Sequence, residues 1–351
     1  MTWDVAQILS IDGAANGAVY LLAGLGLVLV FSVTRVVFVP FGDIAAFAGL
    51  SLAAFEAGKV PATVGLVLSL AALAVLAEVS VLIRRREFAR IPMVVAAWGL
   101  IPAAVCLLAW LAVAQSWPPA LSIIVSILLV TPIAPLVARV ALQPIADASV
   151  LVLLMASLVL HFLLSGLGLL FFGPEGSRTD PLISGSVTLG HGFPISGQVI
   201  LMIGCAIALS ALFYLGFERT VAGKALRATA VNRVGARLVG IRPARTALLA
   251  YGCASLLAGL IGVLIAPVMT LYYDSGLLIA LKAFVAAIIG GLSSYPVTAL
   301  GAIAVGLVES FASFWSGAFK DVIVFSLLIP VLMLRSYWAT HSEEDTEEID
   351  Q

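Results

Sequence analysis

Apolar runs dominate the chain. Gly, Pro and charged residues interrupt them at intervals that place helices near 15–34, 41–58, 61–83, 92–114, 119–138, 148–172, 197–217, 246–268, 279–292, 296–316 and 319–335. The runs are continuously apolar rather than alternating, which excludes a closed barrel, and in lipid only helices of this length satisfy their own backbone groups. The expected fold is all-α, a polytopic helical membrane protein with about 10–11 transmembrane segments. One segment is short. Residues 279–292 give about 21 Å of helix at 1.5 Å per residue, less than a hydrocarbon core of about 30 Å, so this segment either spans or is re-entrant.

Composition agrees with the pattern. Of 351 residues, 62% are hydrophobic and 11% charged, about half the charged fraction of roughly 25% usual in soluble domains. The net charge of −1 conceals a split, because six acids (Glu343, Glu344, Asp345, Glu347, Glu348, Asp350) lie in the tail while seven bases crowd residues 219–245. Cytoplasmic loops accumulate Lys and Arg. Placing the loop at 84–91 inside puts Arg35, Arg84, Arg85, Arg86, Arg90, Arg139, the seven bases of 219–245 and Arg335 on one side, and only Lys59, Arg178 and Lys320 on the other. The expected N-terminus is outside and the C-terminus inside, although a re-entrant 279–292 would move the acidic tail outside. No Lys or Arg precedes Arg35 and no A-x-A cleavage site follows the first apolar stretch, so that stretch is expected to stay as a span.

Boundaries follow from these runs. Residues 1–60 form an N-terminal transmembrane part; 61–118 and 119–217 carry further helices; 218–245 is a polar basic loop; 246–338 is a C-terminal transmembrane part; and 339–351 is an acidic tail. The external loop 173–196 contains the polar stretch Ser184–Gly192 with His191, which fits either a short hairpin or an irregular lid. Between Lys224 and Leu238 the basic loop has good helix formers and no Pro, which predicts a helix lying on or below the membrane. Cys106, Cys205 and Cys253 sit in apolar runs without a CxxC and read as small core residues.

Candidate chemistry is sparse. Gly223-Lys224 comes nearest to a phosphate-cradling loop, but Glu218 and Ala225 break the pattern, so no ATP site is expected in this chain. No HExxH, GxSxG or metal-spaced carboxylate pair occurs, and His161, His191 and His341 fall in separate regions. The expectation is a non-enzyme with no bound cofactor and no metal. The basic loop lacks aromatic residues for stacking bases, which argues against nucleic acid. Ionisable residues inside spans are expensive and often functional. Lys282 and Glu309 qualify, with Asp43 and Glu78 nearer span ends; Lys282 would either pair with Glu309 or snorkel to the interface. Gly290-Gly291, followed by Ser293, Ser294, Tyr295 and Pro296, then Gly301 and Gly306, marks either close helix packing or a helix break lining a cavity; Gly24 and Gly26 carry the same ambiguity.

The stretch Gly223-Lys224-Ala225-Leu226-Arg227-Ala228 through Gly240-Ile241 resembles the coupling loop of branched-chain amino acid ABC-transporter permeases. Leu281-Lys282-Ala283-Phe284 through Gly290-Gly291-Leu292-Ser293-Ser294-Tyr295-Pro296, with Gly301, Gly306 and Glu309, is similar to that family's K-A-F-x-A-A-x-x-G-G-x-x-S-x-P signature, and Lys320-Asp321 and the last span also fit. Residues 16–27 resemble its opening span. Phe38-Val39-Pro40-Phe41-Gly42-Asp43 stands where the family usually shows N-F-A-H-G-E, keeping the Gly and an acid while Phe38 and Phe41 replace the Asn and His. The pattern resumes near Arg139–Pro144, so 61–118 has the look of an inserted two-helix segment.

The resemblance implies a permease subunit in a bacterial-type cytoplasmic membrane, surrounded by lipid. It would pair with a paralogous permease or with itself, receive its solute from an external binding protein, and dock on two cytoplasmic ATP-binding subunits that hold ATP and Mg. Gly223, Lys224, Ala225, Arg227, Arg233, Gly235 and Gly240 would form the coupling element, and Gly42, Asp43, Lys282, Gly290, Gly291, Ser293, Pro296 and Glu309 the substrate pathway. Branched-chain aliphatic amino acids are the expected solute, with amides or urea as an alternative within the family. A stand-alone ion-coupled secondary transporter is the alternative class, but the broken region near 290–296 has no second copy of the kind such folds show.

Overall fold

A computed structural model describes residues 3–189 and 193–333. The first helix, α1 (Trp3–Thr34), is 32 residues long, about 48 Å at 1.5 Å per residue, so it begins well before the expected residue 15. Arg35, with φ of 61°, ends it. The chain then runs without helix through Val36–Pro40 before α2 (Phe41–Glu56), and this passage is buried, Phe38 completely. Irregular backbone in such a bundle must find partners within the protein. Here the Val36 N–H donates to Thr34 Oγ1 at 3.2 Å and the Val39 N–H to Ser157 Oγ at 2.9 Å.

Next come α3 (Thr63–Arg84), α4 (Ile91–Val95) and α5 (Ile101–Ala114), the last two joined through a π-helical turn at Ala96–Leu100. A second broken helix comprises α6 (Pro119–Val130), α7 (Ile133–Val137) and a π-helical turn at Ala138–Leu142. The straight helix α8 (Val150–Phe172) follows, capped by Ser149, whose hydroxyl accepts from the Val152 N–H. Strands β1 (Ser186–Leu189) and β2 (Phe193–Ser196) pair antiparallel, Ser186 opposite Ser196, so the loop 173–196 contains a hairpin. Its tip, with His191, lies outside the described residues. The remaining helices are α9 (Gly197–Arg219), α10 (Val221–Val231), α11 (Arg233–Leu238), α12 (Pro243–Ile265), α13 (Gly276–Ile289), α14 (Tyr295–Trp315) and α15 (Lys320–Ser326). Arg335, His341 and the acidic tail lie outside the described residues.

Among the described residues, eight helices are long and apolar enough to cross a membrane: α1, α3, the stretches 88–114 and 119–145, α8, α9, α12 and α14. This is a polytopic helical membrane protein. The segments expected at 41–58 and 279–292 are shorter, α2 with 16 residues and α13 with 14. The segment expected at 319–335 is interrupted at Leu327, after which helix resumes over 328–333. One further expectation needs correction. The single helix over 224–238 is broken at Asn232, whose backbone is extended (φ −149°, ψ 104°) and whose side-chain oxygen accepts from the Gly235 N–H at 2.9 Å. A short polar side chain that offers the backbone this bond starts a new helix rather than continuing the old one. Phe38 and Phe41, which stand in place of the family's Asn and His, are both fully buried, Phe38 edge-on to Tyr251 with ring centroids 5.1 Å apart.

The core forms where α1 packs against α12, α13 and α14, with α2 lodged between α12, α13 and α6. Close approach needs small residues at these crossings. A Cβ added at Gly306 of α14 would meet the backbone of Gly13 and Gly17 in α1, and one at Gly262 of α12 would meet the Ala45 carbonyl of α2. The helices of 61–118 lie at the periphery, with many outward side chains exposed, among them Leu76, Met93 and Leu100. They are tied to the rest by Arg139, which pairs with Glu78 at 2.5 Å, stacks 6.0 Å from the Trp98 ring and donates to Gln143.

Candidate functional site

Among the described residues, the buried charged side chains occur in two clusters, and α13 touches both. The first surrounds Asp43, one residue after Gly42 at the start of α2. Its carboxylate meets His161 Nδ1 at 2.8 and 2.9 Å, and both residues are buried. His161 and Ser157 lie four residues apart on one face of α8, so Ser157 holds the Val39 N–H while His161 holds Asp43. Gly276, the first residue of α13, sits against Gly42 and Asp43 so closely that neither glycine has room for a side chain.

Lys282, six residues along α13 and about 9 Å of helical rise away, anchors the second cluster. It does not snorkel. Its Nζ donates to Glu309 Oε1 of α14 at 2.5 Å and lies 2.9 Å from Asp321 Oδ1 of α15, the latter contact lacking hydrogen-bond alignment. The Tyr20 hydroxyl of α1 donates to the other Glu309 oxygen at 2.5 Å, and the ammonium group lies 5.9 Å from the Tyr20 ring. Four helices therefore converge on one cation and two carboxylates. Removing such groups from water costs several kcal/mol per ion unless partners surround them, and here Glu309 has both oxygens engaged.

Gly290 and Gly291 end α13. Gly290 packs on Thr298, and Gly291 (φ 66°) with Leu292 (φ 57°) turns the chain through the left-handed region into Ser293 and Pro296. A leucine there costs of order 1 kcal/mol, which the adjoining Gly-Gly accommodates. Ser293 and Pro296 line a cavity with Ser32 and Arg35 of the α1 end and Arg227 of α10. The residues expected to line a pathway thus fall into three places rather than one: Gly42 and Asp43, Lys282 and Glu309, and the 290–296 turn.

The residues expected to form a coupling element lie on the α10–α11 elbow. Thr220 caps α10 by accepting the Gly223 N–H at 3.0 Å, and Gly223 packs on the backbone of Gly216 and Phe217 at the end of α9. Inward, Leu226 packs with Leu29, Val33 and Ala250, while Thr246 donates to Thr229 at 3.1 Å. Outward, Lys224 and Arg227 are exposed and Ala225, Arg233 and Gly235 partly so; Gly240 (φ 85°) closes α11. Among them stand exposed apolar residues: Val231 82%, Val234 67%, Leu238 84% and Val239 74%. Among the described residues, no group of three His, Cys, Asp or Glu side chains is placed to hold a metal ion.

Sequence reasoning missed three participants. His161 sits in an apolar run with no local signal for its partner, and Tyr20 likewise; Asp321 stands in a segment noted only for its resemblance. A lone His in the middle of an apolar helix, in a chain with an acid at the start of the 41–58 segment, was the available hint.

Residues 9–334 match the family described as branched-chain amino acid transport system / permease component. The high-affinity branched-chain amino acid transport system permease protein LivH of Escherichia coli (strain K12) is 30% identical over 206 residues, covering 56% of this chain and 66% of that protein. The corresponding permease protein BraD of Pseudomonas aeruginosa is 29% identical over 203 residues, with 56% and 66% covered. The matched region thus spans 66% of the length of these curated relatives. No solved structure matches the chain.

Proposed function

This chain belongs to the family of branched-chain amino acid transport system permease components, and on that premise we propose that it is the membrane-spanning subunit of an ATP-binding-cassette importer in a bacterial-type cytoplasmic membrane. Its solute is an amino acid, by family a branched-chain aliphatic one. Two ATP-binding subunits supply hydrolysis and hold ATP and Mg; a second permease, paralogous or identical, completes the pathway; an external binding protein delivers the solute.

The observation that carries this reading is the outward face of the α10–α11 elbow. Val231, Val234, Leu238 and Val239 are 67–84% exposed on a segment outside the eight long apolar helices, beside Lys224 and Arg237. Apolar side chains grouped among basic ones on a polar loop fit a protein partner. The inward face, through Leu226 and Thr229, grips α1 and α12. Force applied to the outer face therefore reaches α1, against which α12, α13 and α14 all pack. Nucleotide-driven motion of the partner subunits would shift these helices and alternate the exposure of the pathway.

The test is gentle detergent extraction from the native membrane, identification of co-purifying chains, and reconstitution with labelled leucine. Co-purifying ATPase and ATP-dependent leucine uptake are expected. Uptake driven by an ion gradient in vesicles holding this chain alone would overturn the reading in favour of a secondary transporter. ATP-dependent uptake of urea or an amide, but not leucine, would overturn the solute alone.

A further inference from the structure

Two cavities adjoin at the end of the bundle where α1 stops and the elbow begins. The larger, about 730 Å³, lies between α1, α9, α10 and α14, within the range of about 300–1,000 Å³ usual for ligand sites. Its walls are apolar and aromatic, chiefly Leu25, Phe213, Tyr214, Phe217, Leu226 and Ala299. The smaller, about 270 Å³, is lined by Thr229, Asn232 and Arg233 of the elbow. The two share Ser32, Val33, Arg35, Ala230 and Val231 as a common wall.

Three arginines reach the two cavities. Among the described residues, Arg227 lines the larger cavity, Arg233 the smaller and Arg35 both, and no aspartate or glutamate is found with them. Arg233 Nε is buried without a hydrogen-bond acceptor, and such a donor is costly to leave unmatched. Arg35 is fixed at this junction by its left-handed backbone. Tyr214, at 63% exposure, stands on the outer helix α9, so the apolar half adjoins the side of the bundle that faces the bilayer.

An occupant that matches both halves has an apolar chain and an anionic head. We propose that this composite cavity binds an anionic phospholipid, its acyl chain along Phe213, Phe217 and Leu226 and its phosphate on Arg35 and Arg233. Basic pockets between membrane helices recognise anionic headgroups in this way. Because α10 lines both cavities, the lipid would brace the elbow against the end of α1. The inference does not depend on the identity of the solute.

The full chain is reconstituted into vesicles of phosphatidylcholine alone or mixed with phosphatidylglycerol, re-extracted in mild detergent, and its retained phospholipid measured by mass spectrometry. Preferential retention of phosphatidylglycerol is expected. The double substitution Arg35→Gln/Arg233→Gln should reduce that preference about thirtyfold, the effect of losing two basic contacts with an anionic headgroup, while Arg35→Lys/Arg233→Lys, which keeps both charges, should retain most of it and guards against misfolding. Equal retention of the two lipids, or a preference unchanged in the Gln variant, would overturn the proposal. Displacement of phosphatidylglycerol by inorganic phosphate alone would reassign the arginines to a free anion. Loss of the lipid on assembly with a second permease, with cross-links from Tyr214 to that subunit, would reassign the groove to the permease interface.

Discussion

His161 Nδ1 meets the Asp43 carboxylate at 2.8 Å although 118 residues separate them in sequence, and both side chains are removed from solvent and lipid. The pair joins α8 to the start of α2 at the point where the irregular passage Val36–Pro40 ends, and Ser157 on the same face of α8 holds that passage through the Val39 N–H. A buried acid and imidazole therefore fix the path of non-helical backbone between α1 and α2.

Breaking this pair should be costly. His161→Ala leaves the Asp43 carboxylate buried without its partner, a loss of about 3–5 kcal/mol, read as a lower thermal midpoint in detergent. The double variant Asp43→Asn/His161→Ala removes the stranded charge and should be more stable than His161→Ala alone. If the double variant is the weaker of the two, the pair is not a coupled unit.

The Lys282 cluster makes a second prediction. Lys282→Met leaves Glu309 and Asp321 without their ammonium group and should cost about 3–5 kcal/mol, whereas Lys282→Met/Glu309→Leu should recover a substantial part. Tyr20→Phe, which removes one hydrogen bond to a charged group, should cost less, about 1.5–3 kcal/mol. Equal midpoints for Lys282→Met and the parent would contradict the ion pair.

Helix crossings give a third. Gly306→Ala places a methyl against the backbone of Gly13 and Gly17, which cannot rotate away, and should destabilise by about 1–3 kcal/mol. Gly204→Ala on α9, with no atom within 4 Å of the added carbon, should be neutral or stabilising by up to about 1 kcal/mol. The contrast in expression and midpoint between these two alanines tests the α1–α14 contact directly.

Coupling supplies the fourth. Gly223→Val would press on the backbone of Phe217 and reorient α10 on α9, so uptake should fall while ATP hydrolysis by the complex persists and the chain stays in the membrane. Leu238→Glu should weaken ATPase co-purification about thirtyfold, as removal of an apolar anchor does. Normal uptake in the Gly223→Val variant would refute the assignment of 223–240 as the coupling element.

Local chemistry made much of this legible. Continuous apolar runs require helices, so α3, α8, α9, α12 and α14 could be placed within a few residues from sequence, and Pro243 and Pro119 mark helix starts because proline fits the first turn. The early start of α1 was not legible: residues 3–14 mix Asp4, Gln7, Ser10 and Asp12 with apolar positions, and the helix is carried on beyond any lipid requirement, Gly13 packing on Leu307. The break at Asn232 was hidden for the opposite reason, since a single cap residue outweighs good helix propensity on either side.

The sequence by itself determined solvent, fold class and family, because hydrophobicity, span length and short motifs are properties of contiguous residues. Only the tertiary structure decided that Asp43 answers to His161, that Lys282 answers to Glu309 and Asp321, and that Phe38 and Phe41 are core. Each depends on which helices lie side by side. That arrangement is set by the summed packing of small residues at many crossings, which no single stretch of chain encodes.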